Sequence, residues 1–135
     1  MTTNFNQNEF TCPCGCFDDR MSMNVIYRLE VARQLLGRAI SISSGVRCPK
    51  HNEIVGGSPA SSHLVMFRDD VLCACAIDIK IEHARDAFDT IRALLSVGFT
   101  RIGLRSKGDR RFIHADLDYE KAQNVMWTYN EPTLE

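Results

Sequence analysis

The sequence lacks several features that would place it in particular classes of protein. It has no apolar run approaching the roughly 20 residues needed to span a bilayer. Its first ten residues, MTTNFNQNEF, contain neither the positive nor the apolar region of a signal peptide. It has no basic block, and its 16 basic and 17 acidic residues nearly cancel. These absences argue against nucleic acid and membrane as partners, and they predict a cytoplasmic location for the chain as encoded.

Internal repeats, low-complexity tracts and linkers are also absent, which favours a single domain over residues 1–135. The 44% hydrophobic and 24% charged residues are typical of a globular protein. Periodicity predicts helices over 22–36 and 82–97, strands over 39–43 and 73–81, and a hairpin of FTRIGLR and RRFIHADL joined by SKGD. Because helices and strands mix without regular alternation, the predicted fold class is α+β.

Six cysteines are present, at positions 12, 14, 16, 48, 73 and 75. The CPCGC run does not have the C-x-x-C spacing of zinc knuckles, so it is a weak metal motif. The favoured interpretation is that reduced cysteines act as small hydrophobic residues. A structural zinc site, or a disulfide that ties the N-terminal loop near Cys48, remains open.

Polar residues interrupt two of the predicted strands. In CACAIDIKI the odd positions form the apolar face, so Asp78 points away from it, and a buried carboxylate there needs a partner for its charge. In RRFIHADL, His114 and Asp116 share one face. If the strands share a sheet, Asp78 and His114 meet over its open face, and His63 in the preceding loop can join them. Two histidines and one carboxylate form the ligand set of a catalytic zinc, although each residue alone could be structural.

Three stretches occur in a fixed order: SGVRCPKHNEIVGGSPASSH, then AIDI, then GLRSKGDRRFIHAD. Together they resemble the zinc D-Ala-D-Ala carboxypeptidase family, which shares its fold with the hedgehog signalling domain. The likeness covers nearly the whole chain. It implies a small antiparallel sheet with helices packed on one face and a zinc site on the other.

The resemblance also implies roles for individual residues. The zinc ligands fall on His63, Asp78 and His114, and the substrate-binding arginine falls on Arg47. Arg47 would clamp the terminal carboxylate of a peptide through a bidentate pair. Ser61 is the serine of the family's S-x-H loop, where it could bind the same carboxylate or order the loop.

The sequence departs from the family pattern in two places. Fourteen residues separate His63 from Asp78, where the family usually has a much shorter link. The extra residues, in the region 64–75, predict a hairpin packed into the core, a flap over the substrate groove, or an altered loop that impairs activity. The usual acidic residue before the last histidine is missing, since Arg111 lies at that position. We predict Asp116 as general base or as support for the ligand, with Asp109 as the alternative base.

The implied function is a zinc peptidase that cleaves peptidoglycan stem peptides, as carboxypeptidase or endopeptidase, with a metal-activated water. The alternative is a zinc-bearing binding module of the same fold that has lost catalysis. A cysteine-rich zinc module for nucleic acid or protein is disfavoured by the neutral charge. Trp127 and Tyr129 could line the peptide groove or pack in the core. We expect a monomer that acts on the cell wall after release from the cell, as a phage endolysin would.

Overall fold

The computed structural model describes residues 4–129 and confirms the α+β class. Within this range lie the helices α1, α2 and α3, at Met23–Leu36, Pro49–Ile54 and Ala84–Ser96, and a short 3-10 helix at Gln7–Phe10. The strands β1 to β7 lie at Ile42–Ser44, Met66–Arg68, Val71–Cys73, Ala76–Lys80, Arg101–Arg105, Phe112–Asp116 and Val125–Thr128. None of the helices in the described range is long and apolar enough to cross a bilayer.

Helix α1 begins and ends where the sequence predicts. The Ser22 hydroxyl accepts a hydrogen bond from the Val25 backbone N–H, which satisfies one of the free donors of the first turn, and Gly37 ends the helix. Helix α3 also lies where predicted. Its buried face contains fewer of its apolar residues than their helical spacing suggests. Phe88 follows the apolar spacing of the helix but is exposed, because the helix packs through smaller residues such as Ala87 and Ala93.

The main sheet has five strands in the order β1-β4-β6-β5-β7. The predicted antiparallel arrangement holds for β1, β4, β6 and β5, but β7 runs parallel to β5. The reason is the path of the chain: β6 ends with Asp116 opposite Arg101, at the start of β5. The following loop passes this end of the sheet, and β7 starts there with Val125 beside Arg101.

The two faces of this sheet have different characters. Ile77, Ile113 and Ala115 are fully buried and belong to one hydrophobic cluster with Leu29 of α1 and Leu94 of α3. The alternate residues of the same strands project from the other face, as period-two alternation requires. The helices therefore cover one face and leave the other for the polar residues.

Two local predictions were wrong. The strand predicted over 39–43 is the shorter β1, which starts three residues later. No helix was predicted over 49–54, where α2 lies, because six residues are too few for a recognisable apolar period. Pro49 at the first turn of α2 favours the helix, since proline has no N–H that would need a partner.

The insertion between His63 and Asp78 is a separate hairpin of β2 and β3. Its two turn residues, Asp69 and Asp70, have φ of 51° and 66°, as the two-residue hairpin turn with positive φ at both positions requires. Arg68 anchors the hairpin by donating hydrogen bonds to the carbonyls of Leu64 and Cys73. The hairpin forms as predicted, but its apolar residues do not all enter the core.

Phe67 shows this most clearly, with 70% of its surface exposed. We predict that Phe67→Ala changes the free energy of unfolding by less than about 0.5 kcal/mol. The fully buried Ile77 is the matched comparison, and Ile77→Ala should cost about 2–5 kcal/mol because it leaves a cavity. Denaturant unfolding measures both. A loss of several kcal/mol for Phe67→Ala would show that its ring packs in the interior.

Candidate metal centre

One row of residues crosses all five strands of the main sheet at the open face. Ser44 pairs with Asp78, Asp78 with His114, His114 with Gly103, and Gly103 with Trp127. Gly103 allows the close approach at one end of the row, since an added Cβ would lie 2.5 Å from the Trp127 Nε1. The indole is therefore near the histidine, with ring centroids 5.4 Å apart between Trp127 and His114.

Asp78 lies between Ser44 and His114 in this row and is 6% exposed. Its Oδ1 lies 3.3 Å from His63 Nε2 and 3.2 Å from His114 Nδ1, and its Oδ2 lies 3.3 Å from an Arg47 Nη2. Burial alone would raise the pKa of Asp78, but the charge of His63 and the hydrogen bond from His114 hold that pKa below its ordinary value. The carboxylate is therefore ionised at neutral pH.

His63 presents one ring nitrogen to this carboxylate and fixes the other. Its Nδ1 lies 2.7 Å from the Gly45 carbonyl oxygen, which can only accept, so Nδ1 carries the proton. The buried Nε2 has no hydrogen-bond partner among the described residues. When His63 is neutral, its Nε2 lone pair and the Asp78 carboxylate are two acceptors 3.3 Å apart. That arrangement needs a cation between them.

His114 is oriented in the same way by Asp116. Its Nε2 lies 2.7 Å from Asp116 Oδ2, so Nε2–H donates to that carboxylate and Nδ1 faces Asp78. Burial lowers the pKa of His114, but the hydrogen bonds and charges of Asp116 and Asp78 outweigh burial and raise it. Each histidine thus donates with one nitrogen, and its other nitrogen faces the centre and can bind a metal there once it has lost its proton.

The three predicted ligands fit a zinc ion. One donor atom from each of His63, Asp78 and His114 lies within 4.8 Å of the others. Tetrahedral ligands at zinc distances are about 3.3–3.5 Å apart, close to the 3.2 and 3.3 Å that separate the carboxylate oxygen from the two nitrogens. Three protein donors leave a fourth position for water or substrate. The structure thus brings together the three residues that the sequence predicts as ligands.

Arg47 reaches the centre from the turn before α2. Its Nε donates to the Ser44 hydroxyl, and its two terminal nitrogens lie 3.3 Å from Asn52 Oδ1 and Asp78 Oδ2. These contacts use three of the five guanidinium N–H groups and leave two for a ligand. The position of Arg47 is compatible with the predicted binding of a carboxylate.

The two predicted bases lie in contrasting surroundings. Asp116 is fully buried, and its Oδ1 accepts hydrogen bonds from Arg101 Nε at 2.9 Å and from the Asp118 backbone N–H at 3.0 Å. Since its Oδ2 is bound to His114, both oxygens are engaged. Asp109 is exposed in the loop between β5 and β6. These surroundings favour Asp116 as support for His114 over Asp116 as a base.

Other polar and aromatic residues complete the surroundings. The Ser61 hydroxyl accepts a hydrogen bond from the His63 backbone N–H at 3.1 Å, which orders the loop. The sequence analysis missed Arg101, which pairs with Asp116 and lies over the Trp127 ring at 5.2 Å. The alternation in RIGLR, which places Arg101 and Gly103 on one face, was the available signal. Trp127 is half-buried beside the centre instead of lying in the core.

Two histidines and one aspartate grouped in this way form a candidate metal site with the number and types of donor that catalytic zinc centres use. The family model for Peptidase M15 matches residues 3–116. The chain therefore belongs to the Peptidase M15 family, a metallopeptidase family of the zinc D-Ala-D-Ala carboxypeptidase type. A comparison with curated proteins gave no match.

The surroundings of Asp116 lead to a prediction. Asp116→Asn should lower the free energy of unfolding by about 3–5 kcal/mol, because it leaves the half-buried Arg101 without a charged partner and removes the carboxylate to which the buried His114 Nε2–H donates. It should also weaken zinc binding roughly 10–100-fold, because His114 loses the group that orients it. Denaturant unfolding and competition with a zinc chelator measure the two effects.

The matched control is Asp109→Asn, which changes an exposed carboxylate and should stay within about 0.5 kcal/mol of the parent. If Asp116→Asn keeps its stability and its zinc affinity but loses turnover, then Asp116 carries the proton and the supporting role is wrong.

Proposed function

We propose that the chain is a zinc peptidase that cleaves the D-Ala-D-Ala-type ends of peptidoglycan stem peptides. The convergence of His63 Nε2, Asp78 Oδ1 and His114 Nδ1 carries the proposal, together with membership of the Peptidase M15 family. Bound there, zinc would supply a Lewis acid and a water molecule of lowered pKa. The side chains around the centre would bind the substrate and transfer the proton.

Arg47 supplies the specificity for a peptide terminus in this proposal. Its two uncommitted N–H groups can donate to a terminal carboxylate in a charge-assisted pair. The contacts with Ser44 and Asn52 hold the guanidinium in place before substrate binds. A preoriented arginine loses less conformational entropy on binding, which favours recognition of a planar carboxylate.

Two aromatic residues, Trp127 in β7 and Tyr129 directly after it, line one side of the candidate metal centre. Trp127 and Tyr129 lie with ring centroids 6.3 Å apart, and Tyr129 also packs against Phe112. Burial raises the pKa of Tyr129 to about 12, so its hydroxyl stays protonated at neutral pH. Tyr129 can therefore donate a hydrogen bond to a substrate carbonyl but is unsuited to accept a proton.

The proton carrier is assigned by elimination between the two carboxylates predicted from the sequence. Asp116 has both oxygens engaged and is inaccessible to substrate. Asp109 has an exposed carboxylate in the loop 106–111. We propose that Asp109 exchanges the proton when this loop lies over bound substrate, and that Asp116 positions His114.

The direct test is incubation of the zinc-loaded protein with defined muropeptides, followed by mass spectrometry of the products. The parent should release terminal D-alanine, and His114→Ala should release none because a ligand is missing. Cleavage only within cross-linked peptides would make the protein an endopeptidase. No product from either type of muropeptide, with zinc still bound, would contradict peptidase activity.

Arg47 gives a sharper prediction about the substrate. Arg47→Ala should lower kcat/KM roughly 10–100-fold on a peptide with a free C-terminal carboxylate, the loss expected for hydrogen bonds to a charged group. The same peptide with an amidated C-terminus is the control, because it lacks the charge that Arg47 would bind. The variant and the parent should then cleave the amide equally slowly. An equal loss on both peptides would show that Arg47 acts only through Asp78.

A non-catalytic binding module of the same fold is the second candidate. One observation favours it: the β2–β3 hairpin exposes apolar side chains at Met66, Phe67, Val71 and Leu72. Exposed apolar groups of this kind are typical of a surface that contacts another molecule. In that case the protein would bind peptidoglycan fragments with zinc present and release no product.

A further inference from the structure

Four of the six cysteines converge at one place outside the candidate metal centre. Cys12, Cys14 and Cys16 lie in the N-terminal loop, and Cys48 directly precedes α2. One sulfur from each lies within 4.8 Å of the other three. The Sγ atoms of Cys12 and Cys14 are 3.5 Å apart, as are those of Cys14 and Cys48. The chain thus gathers four soft donors from two segments that are 32 residues apart at the closest.

These sulfur–sulfur distances indicate which chemistry the cluster suits. A disulfide bond is about 2.05 Å long, so sulfurs 3.5 Å apart are not bonded to each other. Four thiolates around a zinc ion at about 2.3 Å are roughly 3.8 Å apart along each edge of the tetrahedron. The observed spacing is close to that edge.

Exposure distinguishes two of these four cysteines, Cys14 and Cys16, from the two cysteines outside the cluster. Cys73 and Cys75 are buried, as expected for cysteines that act as small hydrophobic residues. Cys14 and Cys16 are exposed, so burial of apolar surface does not explain why they meet Cys12 and Cys48. The prediction of small hydrophobic cysteines therefore fits one pair and fails for the exposed pair.

The local backbone supports negative charge on the sulfurs. The Cys48 N–H donates to Cys12 Sγ, and the His51 N–H donates to Cys48 Sγ, each at 3.4 Å. Such donors stabilise thiolates, which are the form of cysteine that binds zinc. Between Cys14 and Cys16, Gly15 has a φ of 98°, a conformation that side chains disfavour, so the loop can turn sharply there.

We propose that Cys12, Cys14, Cys16 and Cys48 bind a second, structural zinc ion. Four thiolates in a tetrahedron form a closed site with no position for substrate. Tetrahedral sulfur sites also suit iron, and the metal content of the purified protein distinguishes the two metals. The proposal does not depend on peptidase activity, because none of the four cysteines belongs to the candidate metal centre.

The position of this site indicates what it stabilises. Cys48 follows the turn that carries Arg47 and the Gly45 carbonyl, which fixes the His63 ring. The N-terminal segment already packs on this turn, since the Val46 N–H donates to the Phe10 carbonyl at 2.8 Å. A zinc ion shared by the two segments would lock the turn in place. The cysteine site would thereby hold two groups of the metal centre without touching substrate.

The test is the metal content of protein purified with a non-thiol reductant and zinc, measured by plasma mass spectrometry. The parent should hold two zinc ions per chain, and His114→Ala should hold one. A double variant with Cys14→Ser and Cys16→Ser should also hold one, and its exposed substitutions cost little packing. Cys73→Ala is the control, because it removes a thiol elsewhere and should keep both ions.

Cobalt substitution adds a spectroscopic test that the parent and His114→Ala can decide, even if the double cysteine variant does not fold. Cobalt bound to thiolates gives an intense sulfur-to-metal charge-transfer band in the near ultraviolet. This band should appear in the parent and in His114→Ala and be absent from the double cysteine variant. Three results would each overturn the proposal. The parent could bind a single zinc ion that His114→Ala removes, it could lack the charge-transfer band, or it could contain iron in place of zinc.

Discussion

Asp78 carries a negative charge in the middle of the main sheet, between β1 and β6, with only 6% of its surface exposed. An ionised carboxylate in such a place costs several kcal/mol unless cations and hydrogen bonds compensate it. His63, His114 and Arg47 approach it from a loop, a neighbouring strand and a turn. Satisfying this one charge therefore fixes the relative positions of three separate parts of the chain.

The two histidines that face Asp78 are each oriented by a further residue on the side away from Asp78. The Gly45 carbonyl orients His63, Asp116 orients His114, and Arg101 neutralises Asp116. This layered arrangement presets the ligand nitrogens before any metal binds, which reduces the cost of ordering the site. It also explains why the fully buried Asp116 lies next to the centre. The charge of Asp116 keeps the His114 imidazole in one orientation, a role that does not require contact with substrate.

The sequence predicted those features that depend on local periodicity. Alternation placed Asp78 and His114 on the open face, and the predicted hairpin put β5 beside β6. The loop of that hairpin is 106–111, longer than SKGD, so the observed register pairs Arg105 with Phe112. The shift of two residues left the faces unchanged, because alternation has a period of two. The contacts of Arg101 and the gathering of four cysteines depend on tertiary structure, which periodicity does not reveal.

Anomalous diffraction at the zinc absorption edge, from crystals of the zinc-loaded protein, tests the central claim most directly. The account predicts a peak bonded to His63 Nε2, Asp78 Oδ1 and His114 Nδ1, with His114 Nε2 still donating to Asp116. A centre without zinc would contradict it. So would zinc bonded through His114 Nε2, because that bond would break the hydrogen bond with Asp116 that orients His114.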